Sequence, residues 1–465
     1  VSCTHPAAVE GRIGPGQQMI DVIYGALAQA VPERVTAASN GACTTAHFIG
    51  TREDDPRNNN TWVYIETIGG GFGARRTKDG LDGVHVHLTN TSNLPAEALE
   101  GVDKAHAFFT AKFERLRLLY PPIGHILLTG HAHIDLAWLW PTHETRRKLR
   151  RTFSTVLSLM DRYDDFTFNQ SSSQAYAWVE QDDPELFERV KARIAEGRWE
   201  APGGMWLEPD CEVTGGEAMA RQILYGQQYI QQRFGRRSKT AWLPDVFGFS
   251  GGIPQLLRSG GLEGFYTIKL NWNETNTFPH DLFTWEGIDG STVTAWMSRN
   301  NRSFRGYNAD IQPIDMYGSW ADFEGKRYFP ETLVASGWGD GGGGPTQMQL
   351  DRYARLKDYP VLPRLRMGQI DAYRASLPTE GLPVWTGEMN LELHRGTLTS
   401  HGRVKKLNRA AETRLVEAEA FGALAAIHGG FDYPIDTLST AWKMTLLNQF
   451  HDILPGSSIH EVYED

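Results

Sequence analysis

From about residue 101 onward the sequence alternates short apolar runs with longer amphipathic ones. This alternation restricts the fold more than any other feature. An apolar run over 126–129 precedes a helical pattern over 143–163, with Leu149, Phe153, Val156, Leu157 and Met160 on one side and Arg146, Arg147, Lys148 and Arg150 elsewhere. A strand is predicted over 166–169. The next helix, over 184–196, is opened by Asp182, Asp183 and Pro184 in the manner of a helix N-terminus. A helix over 215–234 follows, then strands over 240–243 and 264–268 flanking a helix near 255–258. Strands alternating with helices imply a parallel sheet covered on both faces. In such sheets ligands bind beyond the carboxyl ends of the strands. Two consecutive helices, over 403–428 and over 437–450 with Asp436 as the expected cap, then mark the start of a helical bundle.

The first 100 residues have a different texture. They hold one Trp, Trp62, while the remaining 365 residues hold 13. Turn-rich stretches such as RIGPGQ, ASNGAC, NNNT and ETIGGGFGARRTKDGLDG surround one predicted helix over 19–30 and suit an α+β fragment. The GGGFG run lacks the Lys-Ser/Thr of a phosphate loop. His85 and His87 alternate on a predicted strand and read as ordinary polar residues, so this segment is assigned no chemistry.

Composition narrows the classes further. A length of 465 residues admits two or three domains, and an apolar fraction of 40% admits a sizeable core. A net charge of -10 argues against non-specific nucleic-acid binding. No apolar run approaches the ~20 residues of a membrane helix, so neither nucleic acid nor membrane is an expected partner. The cysteines, Cys3, Cys43 and Cys211, show no metal or redox spacing and suggest a reducing, cytoplasmic compartment. The first residue is not Met and no signal-peptide pattern follows it, which reads as an internal fragment. Oligomeric state is not legible.

The stretch GHAHIDLAWLWP, Gly130 to Pro141, places His131, His133 and Asp135 at every second position. Residues two apart on a strand share a face. A polar strand end facing water would fit, but Leu127, Leu128, Leu136, Ala137 and Trp138 make the surroundings core-like. Buried ionisable groups need partners, and a metal ion is one that satisfies them together. Four other stretches carry ionisable groups at strand ends, in loops or at a helix end: WLPDVFGFS (Asp245, Phe247), SGWGDGGGGPT (Asp340 in a run of glycines), ELHRGTLTS (Glu392, His394, Arg395) and NQFHDILPGS (His451, Asp452). Taken singly each reads as a cap or turn.

Together with TFNQSSSQAYAWVEQDDPELFERVK, GRWEAPGGMWLEPDC and FPHDLFTWEGIDGS, these stretches resemble glycoside hydrolase family 38, the α-mannosidases, over roughly residues 105–465. The first segment resembles hydantoinase B and the related acetone carboxylase subunits over nearly all of residues 1–100. The expected fold is therefore α/β. It comprises a parallel-sheet (β/α) glycosidase catalytic domain over 101–398 and the start of a helical bundle over 399–465, with an N-terminal α+β fragment of unrelated origin over 1–100. The resemblance implies zinc ligands at His133, Asp135, Asp245 and His451, with His131 only flanking. Oxygen-rich sites also accept Co²⁺ or another divalent ion. It implies a retaining mechanism with Asp245 as nucleophile and Asp340 as acid/base, Glu392 being the reserve candidate. Trp138 falls where the family stacks an aromatic ring on the sugar. Phe247 would line the same pocket, Asp452 would hydrogen-bond a hydroxyl, and Glu392 and Arg395 are further substrate-binding candidates. The implied partner is a mannose-containing oligosaccharide. In the family, β-rich domains follow the bundle and contribute to the site; they are not in this sequence. Two competing readings are a metal-dependent C–N hydrolase of the deacetylase kind and a catalytically dead chimera.

Overall fold

A computed structural model describes residues 111, 113–299 and 307–465, and the backbone of three short antiparallel strands, β1 (Val63–Ile65), β2 (Phe72–Ala74) and β3 (His85–Val86). The expected helix over 19–30, Cys3, Cys43 and His87 lie outside the described residues. The chain divides into two units, Val1–Ile123 with Arg355–Arg364, and Gly124–Ala354 with Leu365–Asp465. The second unit contains every candidate residue.

This unit opens with β4 (His125–His131) and α1 (Thr142–Met160), followed by β5 (Phe168–Asn169), α2 (Ser173–Asp182), α3 (Pro184–Ala195) and β6 (Trp199–Glu200). Then come α4 (Gly216–Phe234), β7 (Thr240–Trp242), α5 (Ile253–Ser259), β8 (Gly264–Thr267), β9 (Leu282–Glu286) and β10 (Thr292–Met297). After these follow α6 (Pro313–Ala321), β11 (Glu331–Ser336), α7 (Gln347–Leu356), β12 (Arg364–Met367), α8 (Ile370–Ser376) and β13 (Val384–Thr386). Two helices, α9 (Gly402–Gly429) and α10 (Ile435–Asn448), come last before a short terminal turn of helix.

The order β11-β4-β5-β6 is parallel throughout. The second sheet, β13-β9-β10-β8-β7, departs from the all-parallel expectation. Strands β9 and β10 form an antiparallel hairpin closed by the tight turn at Gly290 (φ 84°). The two sheets adjoin where the Gly203 N–H donates to the Thr240 carbonyl at 2.8 Å.

The apolar spacing dictates the packing. Helix α1 buries Leu149, Phe153, Val156, Leu157 and Met160 together with Phe166, Phe168 and Trp199. Asp183 caps α3, its carboxylate accepting the Leu186 N–H at 3.1 Å. The expected Asp436 cap is corrected: α10 starts at Ile435 with Pro434 before it and no side-chain cap. Asp436 lies within the first turn, where a negative charge meets the positive helix end without being a cap.

Strand β4 is buried along its length after His125 and ends at His131, earlier than the His-x-His-x-Asp alternation suggests. The chain leaving β11 crosses directly over its end. At Gly337 the backbone has φ 152°, and a Cβ there would lie 2.3 Å from the His131 carbonyl oxygen. Only glycine fits such an approach. The glycine run is thereby laid beside the loop after β4: Ile134 bridges Gly341, Gly342 N–H donates to the His133 carbonyl at 3.2 Å, and Asp135 N–H to the Asp340 carbonyl at 3.3 Å.

Candidate metal centre and active site

His133 and Asp135 lie just beyond β4, Asp245 just beyond β7, Lys269 just beyond β8 and Asp340 just beyond β11. All four of these strands run parallel within their sheets, so their carboxyl ends deliver the side chains to one rim. His451 arrives separately, after α10. Its approach is fixed by the 201–215 loop, which pairs with the segment before His451: Asp210 N–H donates to the Gln449 carbonyl at 2.8 Å and Pro209 bridges Phe450.

Each of His133, Asp135, Asp245 and His451 offers a ligand atom within 4.8 Å of those of the others, and all four are buried. His133 Nε2 lies 3.1 Å from Asp135 Oδ1 and 3.6 Å from Asp245 Oδ2. His451 Nε2 lies 3.3 and 3.4 Å from the same two oxygens. Yet His133 Nε2, His451 Nε2 and Asp135 Oδ1 are buried without a hydrogen-bond partner. Two imidazole nitrogens and one carboxylate oxygen left unsatisfied beside the Asp245 carboxylate are a donor set that could hold a metal ion.

The ionisation follows the same convergence. Burial opposes charging His133, but Asp135 and Glu208 carry it well above its ordinary value. Burial likewise opposes charging His451, which its contacts with Asp135 and Asp245 push up to about 10. Asp245 is held well below the usual carboxylate range against its burial, chiefly by Lys269 and the two histidines. Asp340 goes the other way: burial and the Asp135 charge raise it. Burial and Asp135 also raise Asp452, to about 8.

The pocket above the cluster, about 350 Å³, is lined by Asp135, Trp138, Asp245, Phe247, Lys269, Trp272, Tyr307, Asp340 and Asp452, among others. Phe247 meets His394 edge-on at 4.8 Å. Asp452 accepts from Ser457 Oγ at 2.5 Å. Two of the expectations drawn from the sequence need adjustment. His131 does not aim at the cluster. It contacts the Asn169 carbonyl at 3.3 Å and the Trp242 indole N–H at 3.4 Å, and burial beside His133 lowers it to about 3. Glu392 and Arg395 lie in an adjoining cavity of about 460 Å³ rather than in the pocket. Glu392 is corrected as a reserve acid. It accepts the Thr275 and Asn276 N–H groups at 2.7 and 3.0 Å, and these bonds lower its pKa, the wrong direction for a proton donor. Arg395 is exposed and donates to the Glu392 carbonyl at 2.9 Å.

Sequence reasoning missed Lys269, whose ammonium donates to Asp245 Oδ1 inside an aromatic cage. Its Nζ sits 3.8 Å from the Trp272 ring centroid, 4.8 Å from Phe247 and 5.3 Å from Tyr307. The rule that singled out Asp245, an ionisable residue just after an apolar strand, would have found it in GFYTIK. Glu208 beneath the histidines carries no such signal.

Residues 124–388 match the model of the glycosyl hydrolases family 38 N-terminal domain, residues 392–465 the alpha mannosidase middle domain, and residues 1–103 hydantoinase B/oxoprolinase. The chain is 39% identical over 349 residues to an alpha-mannosidase of Saccharomyces cerevisiae, covering 72% of this chain and 32% of the relative. It is 40% identical over 340 residues to human alpha-mannosidase 2C1, again covering 72% and 32%. The chain thus spans about a third of the length of the curated relatives it matches. The fold resembles the crystal structure of an alpha-mannosidase from Enterococcus faecalis at a TM-score of 0.63 and 22% identity, covering 73% of this chain and 40% of that one. Among the described residues no helix is long and apolar enough to cross a membrane. The first of the family models covers more than half of the sequence over the very strands that carry the buried His/Asp cluster, and the chain therefore belongs to glycosyl hydrolase family 38.

Proposed function

We propose that the chain carries the catalytic domain of a zinc-dependent, retaining α-mannosidase acting on mannose-containing oligosaccharides. The observation that carries this reading is the convergence of four buried donors from three distant stretches of sequence within 4.8 Å. His133, Asp135, Asp245 and His451 would hold the metal, zinc by the mixed nitrogen and oxygen donor set, with Co²⁺ a chemically acceptable substitute. The ion would supply a Lewis-acid grip on sugar hydroxyls when bound. Its binding would displace protons from the two imidazoles and so be proton-linked.

The chain's own groups divide the remaining work. Asp245, kept ionised by Lys269, attacks the anomeric carbon, and the bond to the leaving oxygen breaks as Asp340 gives that oxygen its proton. Asp340, now a carboxylate, takes a proton from water as the water oxygen bonds to the anomeric carbon. In that same displacement the bond to Asp245 breaks and its carboxylate is restored. Burial and neighbouring carboxylates raise Asp340, which suits a group that must arrive protonated. Trp138 offers a face for the sugar ring, Phe247 a wall, and Asp452 an acceptor for a hydroxyl. Glu392 and Arg395 would meet the rest of an oligosaccharide in the adjoining cavity. Cys211, buried and unpaired, suits a reducing compartment, and the cytoplasm is the setting we assign.

The test is proton NMR of the zinc-loaded full chain with an aryl α-mannoside, identifying the anomer first released. The expected result is α-mannose, lost on chelation and restored by zinc. β-Mannose first, or activity indifferent to chelation, would overturn the mechanism. Zinc bound at these residues without hydrolysis of any mannoside would favour the reading of an inactive remnant.

A further inference from the structure

The two histidines of the cluster are arranged alike. Their rings stack at 20° with centroids 5.5 Å apart. Both Nε2 atoms face the Asp135–Asp245 pair. Both Nδ1 atoms face a single residue, Glu208. His451 Nδ1 lies 3.0 Å from the Glu208 backbone carbonyl oxygen and 4.0 Å from its carboxylate Oε2. His133 Nδ1 lies 3.7 Å from the same Oε2. The carbonyl contact is a hydrogen bond; the two to Oε2 are charge contacts.

Glu208 is built into this position. It is 4% exposed, Oε1 accepts from Ser171 Oγ, and Oε2 is buried with no hydrogen-bond partner. Its backbone is pinned on both sides, by Trp206 N–H on the Gln222 carbonyl at 2.7 Å and by His451 N–H on its own carbonyl at 3.3 Å. Underneath, Gly226 of α4 lets the chain at Met205 approach so closely that a Cβ would lie 2.2 Å from its carbonyl carbon. A buried carboxylate with one open oxygen is costly unless it acts on neighbouring charge.

An imidazole binds a metal through a nitrogen that carries no proton, so a group that holds the proton on Nδ1 presents the lone pair of Nε2. We propose that Glu208 is the positioning residue for both histidines: its carbonyl fixes His451 and its carboxylate His133, each with Nδ1–H turned inward and Nε2 turned to the metal. This rests on the metal-site reading above and adds to it a residue outside the four donors.

The test compares wild type with Glu208→Gln, Glu208→Asp and Ser171→Ala as full chains stripped of metal. Each is titrated with Co²⁺ against a competing chelator, reading Kd and the visible d–d spectrum. Glu208→Gln keeps the backbone carbonyl and the volume but loses the charge. It is expected to bind Co²⁺ about 10–100-fold more weakly, the usual cost of an outer-shell carboxylate. Its spectrum should shift, and its binding should weaken by more than any fall in the melting temperature of the metal-free protein accounts for. Ser171→Ala, which leaves the charge in place, should weaken binding less than Glu208→Gln does, and Glu208→Asp should retain part of what Gln loses. Binding by Glu208→Gln within twofold of wild type, with an unchanged spectrum, would overturn the assignment while leaving the metal site standing. A fall in metal-free stability that accounts for the weaker binding, in both Gln and Asp variants, would overturn it too, in favour of a structural role. Wild type that binds no Co²⁺ would overturn the metal site itself, and this inference with it.

Discussion

Replacing Lys269 by methionine removes the ammonium while keeping most of the side chain's volume. In the wild type this side chain and its partner Asp245 are 1% and 4% exposed, and the ammonium is the donor to Asp245 Oδ1. Breaking a buried pair by deleting one partner costs about 3–5 kcal/mol, because the other charge stays buried. The cage of Trp272, Phe247 and Tyr307 adds a cation–π share of about 1–2 kcal/mol, largely offset by methionine packing against the same rings. The metal-free variant should therefore be less stable by about 3–5 kcal/mol, or roughly 5–10 °C at the lower sensitivity of large domains. A dication on Oδ2 would neutralise much of the stranded carboxylate. The metal-loaded variant should then lose only about 1–3 kcal/mol, the cost of an acceptor left without its donor. Paired thermal denaturation, stripped and zinc-loaded, reads the difference directly. An equal loss in both states would refute the reasoning, since it would mean that Lys269 does not share Asp245 with a metal.

Three further outcomes are expected. Asp340→Asn should cost about 10²–10⁴-fold on a mannose disaccharide and far less on an aryl mannoside whose leaving group needs no proton, measured as kcat/KM on each; equal losses would remove Asp340 from the acid role. Gly337→Ala should destabilise by at least about 1–3 kcal/mol through its positive φ alone, and more through contact with the His131 carbonyl, seen as a lowered melting temperature and weaker metal binding. Burial, Glu388 and Asp210 raise the Glu212 carboxyl to about 7, so the folded state holds this proton more tightly than the unfolded chain; its contribution is fully present below about pH 4.5 and is lost as pH rises toward 7. Glu212→Gln should accordingly gain melting temperature relative to wild type at pH 8 but not at pH 4, and a gain independent of pH would count against that shift.

The elements legible in the sequence are those whose pattern is local. Helices α1, α3 and α4 announce themselves by 3.6-residue spacing and, for α3, by Asp183 and Pro184 at its start. Strands β4, β7 and β8 are apolar runs bounded by polar residues. The β9–β10 hairpin went unread because Leu282–Glu286 and Thr292–Met297 mix buried and part-exposed positions without a clean period. The extent of β4 was overread because alternation continues in the sequence after the pairing stops at His131. Within the site, Asp245 is legible as an acid directly after an apolar strand and Asp340 as an acid set in a run of glycines. His451 is legible as a helix-end residue in NQFHDILPGS, but its place among the donors comes only through the resemblance, and Glu208 is not singled out at all. Both belong to irregular segments whose position is fixed by pairing 243 residues apart, and no local pattern encodes such a pairing.

The pairing of the 201–215 loop with the segment at 449–451 has a kinetic consequence. A ribosome releases the β4 and β7 ends of the rim hundreds of residues before it releases His451. The nascent chain therefore passes through a stage in which His133, Asp135 and Asp245 have been made and His451 has not. Closing the register between Pro209 and Phe450 is a long-range step with a large loop entropy. The late arrival of His451 then acts as a clasp: the buried four-residue cluster is complete only once the 201–215 loop and the segment at 449–451 have paired.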